Sequence, residues 1–310
     1  MAIVIQASDA NKNGTGINFQ SYINVFDKAF APGGRGYFSS DPGDFSSPEY
    51  AFSESTQPSI ATPIADGSWS GILEAGDSEL AYDIQSHVLV GSIDALELGH
   101  NLSYVKATAN FKTVVDVRIS GLDLSGTGAN NEVHNFVNDI SNGSAESLKE
   151  LLADNAITFK GSSGKDVFTG YSFNDVLSGG GGIDRLSGAG GNDTLNGGLG
   201  NDILKGGDGK DSFVFSTVLG GNRDAISDFS VADDTIRLNN AVFEELSDGR
   251  LKAGEFHIGK GAADENDHII YNQDTGVLTY DSNGSEQGGG VQFAKLAVDL
   301  DLTRLDFFII

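Results

Sequence analysis

The sequence predicts an α+β N-terminal domain with a curved antiparallel sheet backed by helices, followed by an all-β parallel β-roll and a β-rich C-terminal cap. Three observations support this fold class. Apolar residues recur at helical and strand-like spacing up to about residue 158, an unbroken nonapeptide repeat follows, and short β-like runs with turns occupy the remainder. The predicted domains are therefore residues 1–158, 159–214 and 215–310.

In the N-terminal domain, apolar stripes predict helices and an alternating run predicts a strand. The residues at helical spacing are Phe19, Tyr22, Ile23, Phe26 and Phe30 in one segment, and Val133, Phe136, Val137 and Ile140 in another. Ser144 as N-cap, with Glu146 in the first turn, predicts a third short helix that carries Leu148, Leu151 and Leu152. In NFKTVVDVRIS, apolar residues alternate with Lys112, Asp116 and Arg118, which is typical of a half-buried strand.

Composition excludes several classes of partner and site. The 310 residues include 44 acidic and 19 basic ones, a formal net charge of −25, so nucleic acid and anionic lipid are not expected as partners. The absence of cysteine excludes disulfides, thiolate metal sites and cysteine nucleophiles. No segment approaches the ~18 apolar residues that a membrane helix needs, and MAIVIQASDANKNG lacks the basic start of a secretory signal peptide.

Six consecutive nonapeptides fill residues 161–214. Aspartate occupies the sixth place of every unit, at Asp166, Asp175, Asp184, Asp193, Asp202 and Asp211. A large apolar residue occupies the eighth, at Phe168, Leu177, Leu186, Leu195, Leu204 and Phe213. Glycine permits the positive φ of tight turns, and a fixed period marks a stacked solenoid. Two units complete one coil, so alternate aspartates form two columns. A disordered Gly/Asp linker is the alternative, and the unbroken register argues against it.

Stacked carboxylates repel one another unless a cation lies between them. Ligands that are all oxygen atoms favour Ca²⁺ over Mg²⁺. The repeat resembles the hemolysin-type (RTX) calcium-binding repeat, whose pattern is GGxGxDxUx.

The RTX resemblance implies that turn carbonyls complete the calcium sites. One site would use Gly180, Gly182 and Asp184 with Gly197, Leu199 and Asp202. Its partner in the other column would use Ala189, Gly191 and Asp193 with Gly206, Asp208 and Asp211. Two further implied sites pair Asp166 with Asp184 and Asp175 with Asp193. The second unit departs from the pattern, with Tyr171 and Phe173 where the family has glycine.

The C-terminal zone resembles the C-terminal cassette of type I secreted RTX proteins. The resemblance is carried by NRDAISDFSVADDTIRLNNAVF, ENDHIIYNQDTGVLTYDSNG and VQFAKLAVDLDLTRLDFFII. Asp306 followed by four apolar residues resembles the uncleaved export signal of that family. The resemblance implies the type I secretion machinery as a partner and an extracellular location, where abundant calcium would drive the repeats to fold. A buried C-terminal strand is the alternative for the tail, and it is compatible with export.

Residues 15–158 resemble the HasA-type haem-acquisition hemophores through AGDSELAYDIQSHVLVGSIDALELG, EYAFSES, ISGLDLSG and VHNFVNDISNGSAESLKELL. The resemblance implies haem as a ligand, with Tyr82 on the iron and His87 hydrogen-bonded to the phenolate. Two features depart from the family. The Tyr82–His87 loop is shorter, and KAFAPGGRGYFSSDPGDF offers no histidine as second axial ligand. The alternative is that Tyr82 and His87 only stabilise a strand turn.

No catalytic motif is found in the sequence. There is no HExxH, and GSWSG has Trp69 where a hydrolase elbow needs serine. We therefore expect a secreted, non-enzymatic calcium-binding protein that folds on extracellular calcium and whose first domain captures haem. The alternative is a calcium-dependent extracellular structural protein, such as a surface-layer, biofilm-matrix or filament subunit. In that case sheet edges would self-associate, and the polar extension before Asn18 would add a strand to a neighbour.

Overall fold

The chain divides into two compact units, of which unit 1 comprises Met1–Asn11 and Asn18–Ala156 and unit 2 comprises Lys12–Ile17 and Ile157–Ile310. The structure is a computed structural model, and it describes residues 2–8, 16–29, 37–38, 46–47, 49–53, 69–78, 80–83, 88–105, 110–127 and 131–310.

Unit 1 contains an antiparallel sheet. Its strands are β1 (Ile3–Ala7), β2 (Tyr37–Phe38), β3 (Ser46–Ser47), β4 (Glu49–Ser53), β5 (Trp69–Ala75), β6 (Leu80–Asp83), β7 (Val88–Val105) and β8 (Asn110–Gly126). The order is β1-β8-β7-β5-β4-β2, and β6 pairs with both β7 and β3. The long pairing of β7 with β8 shifts register at three places, one of them between Ile93 and Ala95. Because each bulge bends and twists a strand, these shifts curve the sheet as the sequence predicts.

Strand β1 pairs with another strand of the same chain. It pairs antiparallel with β8, with Ile5 opposite Ile119, and Ile3 and Ile5 are buried. This part of the N-terminal extension therefore lies within the sheet of unit 1, and its pairing with a neighbouring molecule stays a prediction.

The described residues of unit 1 also form three helices, α1 (Phe19–Ala29), α2 (Glu132–Ser141) and α3 (Glu146–Ala153). Helix α2 packs on β7 and β8, and its predicted apolar stripe is buried: Val133, Phe136, Val137 and Ile140. Helix α3 begins one residue later than predicted. Its N-cap is Ala145, which has no capping side chain, while the Ser144 hydroxyl accepts the N–H of Glu146 at 3.3 Å. Phe30 and the side chain of Phe26 lie outside the described residues.

The predicted alternation along β8 is confirmed where its side chains are described. Val117 and Ile119 are fully buried, whereas Asp116 and Arg118 are half-buried. The Arg118 guanidinium forms ion pairs with Glu74 and, at 2.7 Å, with Glu97. Apolar and charged side chains thus lie on opposite faces of this strand.

Unit 2 consists of short strands in two sheets. They are β9 (Ile157–Lys160), β10 (Val167–Thr169), β11 (Val176–Ser178), β12 (Arg185–Gly190), β13 (Thr194–Asn196), β14 (Ile203–Asp208), β15 (Ser212–Phe215), β16 (Asp224–Ile226), β17 (Thr235–Leu238), β18 (Gly249–Arg250), β19 (Phe256–Ile258), β20 (Ile269–Asn272), β21 (Val277–Asp281), β22 (Gly290–Lys295) and β23 (Phe307–Ile309). One sheet has the order β9-β11-β13-β15-β17-β23-β18, and the other has the order β10-β12-β14-β16-β22-β21-β20-β19.

The repeats form a parallel β-roll with the predicted period. Strands eighteen residues apart pair in register, with Leu177 opposite Leu195 and Leu186 opposite Leu204. The eighth residues of all six units are at most 2% exposed, so they fill the roll as expected.

The roll continues into the predicted cap without a break in its sheets. Leu204 pairs in parallel with Ile226 of β16, and Phe213 pairs in parallel with Ile236 of β17. Because both sheets run on in this way, residues 159–214 and 215–310 fall into one compact unit.

Beyond these strands, the predicted hairpin and the C-terminal tail are ordered elements of unit 2. Strands β20 and β21 pair antiparallel, with Ile269 opposite Tyr280. The tail strand β23 pairs with β17, and Phe307 and Ile309 are at most 1% exposed. Across the described residues, no helix has both the length and the apolar character required to cross a membrane.

Candidate metal centre

Two columns of buried aspartates follow the turns of the roll, and all six predicted residues are at most 1% exposed. Within each column, one oxygen of each carboxylate accepts the backbone N–H of the preceding aspartate. Asp184 Oδ1 accepts from Asp166 N at 2.7 Å, and Asp202 Oδ1 accepts from Asp184 N at 2.8 Å. Asp193 and Asp211 repeat this bond in the other column, at 2.7 and 2.9 Å. These hydrogen bonds link successive aspartates of each column in register.

The second oxygen separates the aspartates into two classes. The Oδ2 atoms of Asp184, Asp193, Asp202 and Asp211 are buried and have no hydrogen-bond partner. Leaving a buried charged oxygen without a partner is costly. Four such atoms in equivalent positions are the signature of a missing cation partner.

Turn glycines leave small spaces beside these orphan oxygens. A methyl group at Gly179 would lie less than 3.0 Å from both Asp184 Oδ2 and the carbonyl oxygen of Gly197. A methyl group at Gly188 would overlap Asp193 Oδ2 and the Gly206 carbonyl oxygen in the same way. The structure thus brings together the predicted ligands of each site, a carboxylate from one coil and a first-position carbonyl from the next.

The other predicted carbonyls lie in the same stacks of turns. The carbonyl oxygens of Gly180 and Leu199 each accept one backbone hydrogen bond, at 2.9 Å, which leaves each a free lone pair. A methyl group at Gly200 would meet the Gly182 carbonyl oxygen and, at 3.3 Å, Asp202 Oδ1. In the second column, Asp208 O accepts the N–H of Gly191 at 3.0 Å, and Gly207 lies against the carbonyl of Ala189.

This donor set fits a hard cation. Among the described residues, no three His, Cys, Asp or Glu side chains converge closely enough to hold a metal by themselves. Two carboxylates per site therefore need backbone carbonyls to complete a coordination shell. An all-oxygen shell of this kind matches the preference of Ca²⁺ for carboxylate and carbonyl ligands.

Burial raises the pKa values of these carboxyl groups. It raises the pKa of Asp184 from 3.8 to about 8, and the negative charges of Asp202, Asp166 and Asp224 add to the effect. Burial likewise raises the pKa of Asp193 to about 7, together with the charges of Asp211 and Asp175. Desolvation also raises the pKa values of Asp202 and Asp211. A bound divalent cation would reverse this penalty, because it favours the ionised form.

Two further aspartates belong to the columns, and the repeat pattern does not predict them. Asp224 Oδ1 accepts the N–H of Asp202 at 3.1 Å, and Asp234 Oδ1 accepts the N–H of Asp211 at 2.9 Å. Both are buried, at 4% and 6% exposure. They lie 22 and 23 residues after their partners, so the nonapeptide period misses them. The signal that remains is an aspartate two residues before a buried isoleucine, in Asp224–Ile226 and again before Ile236.

The predicted haem ligands are Tyr82 and His87. Tyr82 lies in β6, and its backbone pairs with Leu89 of β7. The side chain of Tyr82 and the whole of His87 lie outside the described residues.

A family model, the RTX calcium-binding nonapeptide repeat (4 copies), matches residues 160–195 and 178–213. This chain carries RTX calcium-binding repeats. The match covers the repeats that carry the six predicted aspartates, which confirms the predicted repeat family for this segment. No curated protein matches this chain at a significant level.

Solved structures similar to this chain include two structures of one hemophore and one of an epimerase subunit. The holo hemophore HasA from Yersinia pestis is 23% identical over 49% of this chain and 88% of its own, with a TM-score of 0.38. An apo structure of the same hemophore has 23% identity, the same coverages and a TM-score of 0.37. The AlgE6R3 subunit of the Azotobacter vinelandii mannuronan C5-epimerase is 26% identical over 46% of this chain and 77% of its own, with a TM-score of 0.31. These likenesses bring no ligand or activity to this chain.

Proposed function

We propose that the chain is a secreted, non-enzymatic calcium-binding protein whose β-roll folds when it meets extracellular calcium. The observation that carries the proposal is the set of four buried carboxylate oxygens without partners, at Asp184, Asp193, Asp202 and Asp211. They lie inside the segment that the RTX family model matches. The orphan oxygens of Asp184 and Asp193 each lie beside a carbonyl oxygen of the next coil, and such oxygen ligands suit calcium and not a softer metal.

The proposal assigns four calcium positions between successive coils. Two are the predicted sites, which pair Asp184 with Asp202 and Asp193 with Asp211. The other two continue each column beyond the repeats and pair Asp202 with Asp224 and Asp211 with Asp234. In every pair the first aspartate supplies the open oxygen. Bound calcium would supply the positive charge that the buried carboxylates lack, and this charge couples metal binding to folding.

The burial of the C-terminal tail supports a link between export and folding. Phe307 and Ile309 are buried in strand β23, and Asp306 is only 7% exposed. A receptor could contact these side chains only in an unfolded chain. We therefore place recognition by the type I machinery before calcium binding, when a low-calcium cytosol leaves the carboxylates uncompensated.

For the N-terminal domain, haem capture through Tyr82 and His87 stays a prediction, with calcium-dependent assembly as its alternative. A haem titration separates them. Capture predicts a Soret band typical of tyrosine-ligated ferric haem that is absent from Tyr82→Ala. Calcium-induced polymerisation of a protein that leaves the haem spectrum unchanged would favour assembly.

The calcium proposal is tested by titrating the calcium-depleted full chain and recording far-UV circular dichroism and binding heat together. We expect a coil-to-β transition that Asp193→Ala and Asp202→Ala shift to higher calcium concentration. Asp208→Asn is the matched control, because the side chain of Asp208 is exposed and only its backbone carbonyl faces the turn stack. A wild-type chain that has the same β signal in chelator and in calcium contradicts the proposal.

A further inference from the structure

The first coil of the roll, residues 161–178, has its aspartates closed by hydrogen bonds. Asp166 Oδ2 accepts the backbone N–H of Ser162 at 2.7 Å and the Ser162 hydroxyl at 2.9 Å. Asp175 Oδ2 accepts the N–H of Tyr171 at 2.9 Å. These two carboxylates therefore have donors at the oxygen that is orphaned in the next four units.

The donor in both cases is the second residue of the unit, four positions before the aspartate. In the four units with orphan oxygens, this residue has a positive φ instead: 87° at Gly180, 78° at Ala189, 96° at Gly198 and 103° at Gly207. Within the described chain, the residues other than glycine with positive φ are Asp123, Ala189 and Asp299, so Ser162 and Tyr171 do not share this conformation. A change in the sign of φ rotates the peptide plane, and the N–H no longer points at the carboxylate.

An instance outside the repeats follows the same rule. Asp234 has Ser230 four residues before it, and Asp234 Oδ2 accepts the N–H of Ser230 at 2.8 Å. Ser230 is again absent from the residues with positive φ. All three closed carboxylates thus follow a residue with negative φ, and all four orphan oxygens follow one with positive φ.

The other carboxylate oxygen of each aspartate in the first coil accepts a backbone N–H from a residue outside the repeats. Ile17, 149 residues earlier in the chain, donates its N–H to Asp166 Oδ1 and accepts the N–H of Val167 at 2.7 Å. Ile157 donates its N–H to Asp175 Oδ1 at 2.7 Å. In later coils, the N–H that donates to Oδ1 belongs to the preceding aspartate of the column. In the first coil, Ile17 and Ile157 donate this N–H instead.

We infer that the second residue of each unit determines whether that unit holds calcium, and that Ser162 and Tyr171 make the first coil a metal-free end of the roll. This inference rests on the proposed calcium function and assigns which units serve it. The sites predicted from sequence between Asp166 and Asp184 and between Asp175 and Asp193 are then closed by backbone donors. Glycine at the second position opens a site because it adopts positive φ without steric cost.

The test is a gain of calcium. Ser162→Gly converts GSSGKD into the full GGxGxD pattern, and we expect it to bind one more Ca²⁺ per chain than wild type in calorimetric titration of the full chain. Ser162→Ala is the matched control, because it removes the hydroxyl and keeps the N–H that closes the site. It should bind the wild-type number of ions.

Folding of each variant is checked by circular dichroism at saturating calcium. Should Ser162→Gly lose the wild-type signal, the double variant Tyr171→Gly/Phe173→Gly provides the same test in the second unit. A folded variant with no additional calcium overturns the inference, and so does an equal gain in Ser162→Ala, since the hydroxyl would then be the closing group. A wild-type chain that binds no calcium refutes the proposed function itself, which is a distinguishable result.

Discussion

Acid should replace calcium in folding the β-roll. The buried carboxyl groups of Asp184, Asp193 and Asp224 have pKa values raised by burial from 3.8 to about 8, 7 and 7. Below pH 3.8 these groups are protonated in both the folded and the unfolded chain, so they cost the fold nothing. As the pH rises, the unfolded chain releases its protons first, and the calcium-free fold loses stability until the folded pKa values are passed.

The magnitude follows from these pKa values. Each pH unit between the unfolded and the folded pKa costs about 1.4 kcal/mol. Asp184 alone therefore destabilises the calcium-free fold by about 4 kcal/mol at pH 7, and Asp193 and Asp224 act in the same direction. Together they amount to on the order of 10 kcal/mol, which is comparable to the whole free energy of unfolding of a typical domain. The calcium-free roll should thus be unfolded at pH 7.5 and folded near pH 4.

The assay is far-UV circular dichroism of calcium-depleted protein between pH 7.5 and pH 4, at low concentration because the net charge of −25 falls as carboxylates are protonated. Asp184→Asn/Asp193→Asn should shift the midpoint of this transition to higher pH, and Asp208→Asn should leave it unchanged. A calcium-free chain that shows the full β signal at pH 7.5, or none at pH 4, would refute the reasoning.

Three further outcomes follow from the packing of the roll. Gly188→Ala should bind one calcium ion fewer in calorimetry, because its methyl group would overlap Asp193 Oδ2. The control Gly181→Ala should bind as wild type, because the nearest atoms to its methyl group would be at least 3.7 Å away. Equal stoichiometry in the two variants would contradict this prediction. Leu195→Ala should lower the free energy of unfolding of the calcium-loaded protein by about 3 kcal/mol, since Leu195 is fully buried; a change below about 1 kcal/mol would show that the roll collapses around the cavity. Ile17→Pro removes the N–H that Asp166 accepts. Its thermal midpoint in calcium should therefore lie below that of Ile17→Val, which keeps this N–H. Identical midpoints would show that the bond from Ile17 does not stabilise the first coil.

Much of the roll could be predicted from the sequence because each unit interacts mainly with its neighbours at a fixed separation. The aspartate in the sixth place and the apolar residue in the eighth recur without interruption, and the structure places both sets as expected, in buried columns and in the interior. The helices of unit 1 were predictable for a similar reason, since apolar residues repeat at helical spacing along each one. The cap of α3 was predicted one residue early because Ser144 bonds to Glu146 from outside the helix.

The sequence by itself determined the period, the inward-facing residues and the chemistry of the ligands, because these depend on residue type and local spacing. Only the tertiary structure decided which carboxylates have a free oxygen. That choice depends on the direction of single N–H groups, and hence on the sign of φ at Ser162, Tyr171 and their counterparts. It also depends on backbone brought in from Ile17 and on Asp224 and Asp234, which rejoin the columns after insertions that break the period. Contacts between distant parts of a chain leave no regular spacing in its sequence, so the number and position of the open sites could be derived only from the folded roll.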